Sequence, residues 1–201
     1  AEGIALVAEN PSPSLHKIGE IYDKIALAAV GKYNEFESLR QAGVRYADVR
    51  GYSYDREDVT ARGLASVYAQ SLGAVFTAEQ KPFEVELAVA EVGNTQAEDH
   101  LYRLTFDGSI ADEHSFVVMG GQAEKVSSAI DAGWQASLGF ADAVWLALRG
   151  LTPVQEGEQP AAPLPPSALE VAVLDRLSES TRGTRRAFRR LNDADITALL
   201  A

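Results

Sequence analysis

Residues 58–93 read DVTARGLASVYAQSLGAVFTAEQKPFEVELAVAEVG, a helix pattern followed at once by a strand pattern. Leu64, Val67, Tyr68, Leu72, Val75 and Phe76 recur three and four apart, which draws one apolar stripe along a helix. Asp58 is a suitable N-cap. Lys81-Pro82 ends the helix, because a residue before proline is pushed out of the α region. Residues 83–92 then alternate: Phe83, Val85, Leu87 and Val89 share one face, and Glu84, Glu86, Ala88, Ala90 and Val92 share the other. The second face turns apolar after Glu86, so the far end of the strand is covered on both sides. Such a strand needs a layer above it and a layer below.

The flanking chain supplies those layers. Residues 4–8 form a short apolar strand, and Asn10-Pro11-Ser12-Pro13 a loop that cannot join a ladder. Residues 15–21 follow with Lys17 among them, and residues 25–30 form a second apolar strand stopping at Gly31. A helix is expected over 32–46, with Phe36, Leu39, Gly43 and Tyr46 or Ala47 on one side. Gly43 either permits a close helix crossing or weakens the helix. The run 51–55 breaks the helix, which pairs with the next as an αα-hairpin.

Beyond residue 93, strands are expected at 101–106, 110–111 and 115–119, with Asp107-Gly108 as a tight turn. Helices are expected at 123–137, facing inward with Val126, Ile130 and Trp134, and at 140–151, with Val144, Leu148 and Leu151. Residues 152–167 carry five prolines and read as an exposed loop. Strands at 169–174 and 186–191 follow, then a helix over 193–201 capped by Asn192 or Asp193. Helices therefore come in consecutive pairs, which argues against a doubly wound α/β fold. Two packed sheets, each covered by a helix pair, satisfy every apolar face. The expected fold is α+β, a four-layer αββα sandwich in one domain spanning 1–201. Ala1-Glu2-Gly3 reads as a hairpin turn, which implies a further strand before it.

Composition narrows the function classes. The chain has 201 residues and 46% hydrophobic residues, enough for a sizeable core. It contains no cysteine, which excludes disulfides, thiolate metal sites and a cysteine nucleophile. The net charge of −11 opposes nucleic acid and anionic membranes as partners, and no apolar run is long enough to span a bilayer. Arg182, Arg185, Arg186, Arg189 and Arg190 run against that balance. They form either a solvated strand edge or a contact with an acidic neighbour.

Catalytic signatures are sparse. Neither G-x-S-x-G nor G-x-x-x-x-G-K-[ST] occurs, and Gly120-Gly121 reads as a strand-to-helix turn. His16, His100 and His114 lie in different elements without metal-ligand spacing, so no metal or cofactor is expected. Glu84 with Glu86, or Asp55 with Glu57 and Asp58, could be posed as an acid/base pair, but in so acidic a chain they read as solvated faces. Taken alone, Lys17 reads as a surface lysine.

Long runs carry a family resemblance. They are VAENPS at 7–12 leading to LHKI at 15–18, AAVGKYNEF at 28–36, the whole of 58–93, DGSIAD at 107–112 into FVVMGG at 116–121, LEVAVLD at 169–175 and RAFRRL at 186–191. They resemble proteasome α-subunits of the bacterial, actinobacterial type over nearly the whole chain. The resemblance implies the αββα sandwich of N-terminal-nucleophile hydrolases. It implies a non-catalytic, cytoplasmic subunit of a seven-membered outer ring, stacked on proteasome β-subunits that carry an N-terminal threonine nucleophile. It implies that the ring gates the entry of unfolded protein and docks the C-terminal tails of a ring-shaped ATPase activator. Lys17 matches the lysine of the pocket between subunits that receives a tail carboxylate, and Gly31 a glycine whose backbone lines it. The helix pair over 32–79 would lie against the β-ring and that over 123–151 would face outward. The gate residues precede the matched runs. The alternatives are an N-terminal-nucleophile peptidase with its own processed threonine, or an unrelated acidic α/β binding module.

Overall fold

Glu91, near the end of the opening stretch, reaches back to the start of its helix, where its carboxylate accepts the Ala61 N–H at 2.7 Å. A computed structural model describes residues 2–12, 14–78, 81–152, 162–181 and 184–201. In chain order the elements are β1 (Gly3–Glu9), β2 (Ile18–Tyr22), β3 (Ile25–Gly31), α1 (Tyr33–Ser53), α2 (Ala61–Ala78), β4 (Val85–Glu91), β5 (His100–Leu104) and β6 (Ile110–Glu113). Then come α3 (Ala123–Asp131), α4 (Phe140–Leu151), β7 (Leu169–Asp175), β8 (Ser180–Thr181), β9 (Thr184–Arg185), β10 (Phe188–Arg190) and α5 (Asp193–Leu200).

The strands build two main antiparallel sheets, one ordered β2-β3-β4-β5-β6 and one ordered β1-β7-β10, with β8-β9 as a small hairpin. Three apolar clusters fill the three gaps between four layers. The first joins α1 and α2 to the larger sheet through Phe36, Leu39, Leu64, Tyr68, Leu72, Leu87 and Val89. The second lies between the sheets and mixes small with large residues: Ala26, Ala90, Ala172 and Ala187 among Leu6, Ile18, Val92, Leu174 and Phe188. The third joins the smaller sheet to α4 and α5 through Val144, Leu148, Val171, Val173 and Ile196. This is the αββα sandwich that the helix pairing implied. The alternation in β4 works as expected: Val85, Leu87 and Val89 face the helices, while Ala90 and Val92 face the other sheet.

Several local expectations are corrected. Helix α2 starts at Ala61, and Thr60 rather than Asp58 is its cap, accepting the Gly63 N–H at 3.1 Å. Asp58 belongs instead to a short 3-10 turn, Arg56–Asp58, whose first N–H groups are met by Asp55. Its described residues run to Ala78, and Lys81-Pro82 lies outside any helix. Helix α1 continues to Ser53, past the break expected at 51–55. Gly51 does not end it, because its missing side chain makes room for Tyr22: a Cβ there would lie 2.1 Å from the phenol oxygen. Gly43 is likewise a close-approach residue, its Cβ position 2.0 Å from Tyr68 Oη. The run 115–119 joins no ladder and is half-buried apart from Ser115, and α3 ends at Asp131, well before residue 137. Gly3 lies within β1 rather than in a turn. The hairpin expectation rested on Ala1, and most of the proline-rich loop on 153–161; both lie outside the described residues. The final strand spans only Phe188–Arg190, the β8-β9 hairpin having absorbed part of the approach. Asn192 is the cap of α5, in a reciprocal box with Asp195.

Candidate functional site

Lys17 stands at the entry to β2, and its position is set from three sides. Its carbonyl accepts the Ala29 N–H of β3 at 2.9 Å, which extends the β2-β3 ladder by one pair. Its own N–H donates to Glu170 Oε2 of β7 at 2.7 Å. Its half-buried side chain turns back, and Nζ donates to the Glu9 carbonyl at the end of β1 at 2.8 Å. A carbonyl supplies no countercharge, and among the described residues Lys17 forms no ion pair. The ammonium therefore has N–H groups left for an incoming acceptor.

Glu170 holds this arrangement together and was missed in the sequence. It is 6% exposed on the central strand of the smaller sheet. Its carboxylate accepts from Lys17 N–H, from Ile18 N–H at 3.2 Å, from Asn10 Nδ2 at 2.8 Å and from the Arg190 guanidinium. His16 Nδ1 lies 3.5 Å away. Asn10, itself buried, also donates to the Leu15 carbonyl and so closes the loop between β1 and β2. Arg190 further donates to the Ile18 carbonyl at 2.7 Å. A buried carboxylate is tolerable only with such company. The signal was present: Glu170 is the single charge inside the apolar run LEVAVL at 169–174.

Gly31 lies at the same end of the larger sheet, two residues along β3 from Ala29, the cross-strand neighbour of Lys17. Its φ is +116°, and a Cβ would fall 2.0 Å from the Glu84 carbonyl of the chain entering β4. The strand pairing alone therefore demands glycine here. The neighbouring Lys32–Glu84 pair, at 2.7 Å, is half-exposed. Hydrogen bonding and charge from Lys32 hold the Glu84 carboxyl below the usual range.

The other chemical candidates dissolve into structural roles. Glu86 pairs with Arg103 at 3.1 Å, and Asp55 caps its 3-10 turn, so neither forms part of an acid/base pair. The three histidines stay apart, His100 stacking on Tyr102. Among the described residues no cluster of His, Asp or Glu could hold a metal. Within the arginine cluster, Arg186 is ion-paired with Glu20 and Arg190 with Glu170, while Arg185 donates to the Arg176 carbonyl. Arg182 lies outside the described residues.

A four-layer αββα sandwich of two antiparallel sheets defines the architecture of the N-terminal-nucleophile hydrolases. Residues 2–161 match the family model described as Proteasome subunit. A protein of Pseudarthrobacter chlorophenolicus named Proteasome subunit alpha is 87% identical over 200 residues, covering 100% of this chain and 85% of its own length. Proteins of the same name from Arthrobacter sp. and Paenarthrobacter aurescens are 80% and 75% identical, covering 100% of this chain and 83% of their own lengths. The chain belongs to the proteasome subunit family. Its similarity lies with the actinobacterial α-subunits.

Proposed function

We propose that this chain is a non-catalytic α-ring subunit of a proteasome core particle. Seven copies form an outer ring that stacks on β-subunits, gates the entry of unfolded protein and docks the C-terminal tails of a ring-shaped ATPase in pockets between subunits. The compartment is the cytoplasm; no helix among the described residues is long and apolar enough to cross a membrane.

The observation that carries this reading is the state of Lys17. An exposed ammonium on a half-buried lysine, with only a backbone carbonyl as partner among the described residues, is a binding site in waiting for a carboxylate. The backbone around it is fixed by Glu170, so little ordering remains for the tail to impose. The helix pair α1 and α2 is taken as the β-ring face. Its surface carries Val49, Tyr52 and Tyr54 at 67%, 93% and 75% exposure, which suits an interface.

The test is co-expression with the β partner followed by native mass spectrometry. A four-ring particle with seven copies per ring is expected. A chain that stays monomeric beside its β partner overturns the reading.

A further inference from the structure

We infer that neighbouring copies of this chain meet head to tail through opposite edges of the sandwich, a cationic groove on one side receiving an acidic, apolar hairpin from the other. The inference rests on the ring reading above and names the surfaces that reading leaves open.

If the helix layers face the β-ring and the outside, ring neighbours can meet only through the sides of the sandwich. Two sides are the sheet edges. β2 and β10 are edge strands of different sheets, yet they lie on the same side, joined by the Arg186–Glu20 and Arg190–Ile18 contacts. Between them and α1 runs an open groove of about 720 Å³. Its floor is apolar, with Ile18, Ile21, Phe36 and Phe188. Four arginines line it, and three of them are paired within the chain, Arg40 with Glu37, Arg186 with Glu20 and Arg190 with Glu170, which leaves Arg189 as its uncommitted charge among the described residues. The Arg189 side chain has no ion-pair or hydrogen-bond partner among the described residues, its backbone lying in the β10-β7 ladder. An edge left open in this way invites pairing with another chain.

The opposite side is complementary. β6 is the far edge of the larger sheet, four strands away from β2. The hairpin leading into it is seated rigidly: Gly108, at φ +86°, packs so closely on α2 that a Cβ would fall 2.6 Å from the Ala69 carbonyl. On it Phe106 and Ile110 are 47% and 43% exposed, and Phe106 stacks edge-on with the equally exposed Phe76 of α2 at 5.7 Å. Asp107 and Asp112 flank these apolar groups, and Asp112 forms no ion pair among the described residues. In cross-strand register Ile110 lies opposite Leu104 and Asp112 opposite Tyr102, so both share the face on which Phe76 lies.

An apolar projection with acidic margins thus stands on one side, and an apolar groove with a basic margin on the other. Complementary potentials of this kind steer encounter and fix register. Different patches on the two subunits make a heterologous contact, which closes into a ring when the rotation allows. A two-fold contact would use the same patch twice and would set arginine against arginine.

The absence of cysteine makes the test direct. Full-length chain carrying Arg186→Cys and Asp112→Cys, assembled with its β partner, is treated with a short bis-maleimide. Covalent multiples of this chain are expected from the double variant and none from either single variant. Particles that form on native mass spectrometry while the double variant stays uncross-linked overturn the surfaces and leave the ring reading intact. Covalent dimers from a single variant also overturn them, because they report a two-fold contact. Absence of any particle from the unsubstituted chain overturns the ring reading itself. Arg186→Glu serves as a second probe, with loss of ring assembly expected at low salt; assembly equal to that of the unsubstituted chain counts against the groove.

Discussion

The Glu170 carboxylate on β7 accepts the backbone N–H of Lys17 on the other sheet at 2.7 Å. The candidate lysine is therefore held through its main chain from the middle of the sandwich, while its side chain makes a single exposed bond. The structural role and the proposed binding role are thus separated within one residue.

Lys17→Ala tests that separation. The Nζ bond to the Glu9 carbonyl is an exposed one, so its loss costs at most about 1 kcal/mol in folding. Assembly with β-subunits should be unaffected, while stimulation of peptide hydrolysis by a tail-bearing ATPase is lost. Unchanged stimulation removes Lys17 from the site.

Glu170→Gln should behave in the opposite way. It leaves Arg190 without its countercharge and supplies only one acceptor oxygen for the surrounding donors. Breaking a buried pair on one side costs about 3 kcal/mol or more. The urea midpoint of the folded chain is expected to fall well below that of Lys17→Ala. Equal midpoints would mean that the loop between β1 and β2 does not depend on this carboxylate.

Gly31 cannot serve as a clean probe of docking. Any side chain there meets both a positive φ and the Glu84 carbonyl, so Gly31→Ala is expected to cost more than about 1–2 kcal/mol before a tail is considered. Stability of Gly31→Ala within about 0.5 kcal/mol of the unsubstituted chain would contradict the β3-β4 geometry.

Tyr68 and Gly43 form a coupled pair. Burial pushes the Tyr68 phenol up from its ordinary pKa, and its hydroxyl donates to the Leu39 carbonyl at 2.6 Å, in the space beside Gly43. Tyr68→Phe should cost about 1 kcal/mol through the lost bond, and Gly43→Ala more through collision with the oxygen. Together they should cost less than their sum, because removing the hydroxyl relieves the collision. Strict additivity in chemical denaturation would rule out this contact.

Acid should weaken the fold partly through Glu37 and Asp107. Two hydrogen bonds from Arg40 hold the Glu37 carboxyl below its usual value, and the Thr105 hydroxyl and Ser109 N–H do the same for Asp107. Both folded-state values lie below the unfolded ones. The stabilisation is thus complete above the unfolded values and disappears as pH falls through the folded ones, in a window that opens at the ordinary carboxylate range of about pH 4 and extends below it. Glu37→Gln should make the urea midpoint less steep in pH across that window; an unaltered slope would discount the Arg40 contact.

The layer order was legible in the sequence because it depends on periodicity, and β4 shows both of its apolar faces in one run of residues. Element ends were less legible. Gly51 and Gly43 look like helix breakers until the phenols of Tyr22 and Tyr68 are seen in the space they leave. That information is tertiary. The run 115–119 has the composition of a strand, but pairing requires a partner at the right height, which composition does not encode. Lys17 could be singled out through resemblance alone. Glu170, its support, sits 153 residues away, and only the topology brings β7 beneath β2.

The layer between the sheets is rich in alanine, with Ala26, Ala90, Ala172 and Ala187 facing one another across it. Besides the Arg186–Glu20 pair, two further ionic clasps cross this seam at its margins among the described residues. One is Glu170 with Arg190 and the Lys17 backbone; the other is Arg176, which grips Asp99 bidentately at 2.8 and 2.7 Å and also donates to the Gly93 carbonyl. They act as pins through two plates. Between the alanines, Leu6, Ile18, Val92, Leu174 and Phe188 fill the seam, and the pins fix its margins, so loss of one would loosen that margin while every ladder within each sheet stayed whole.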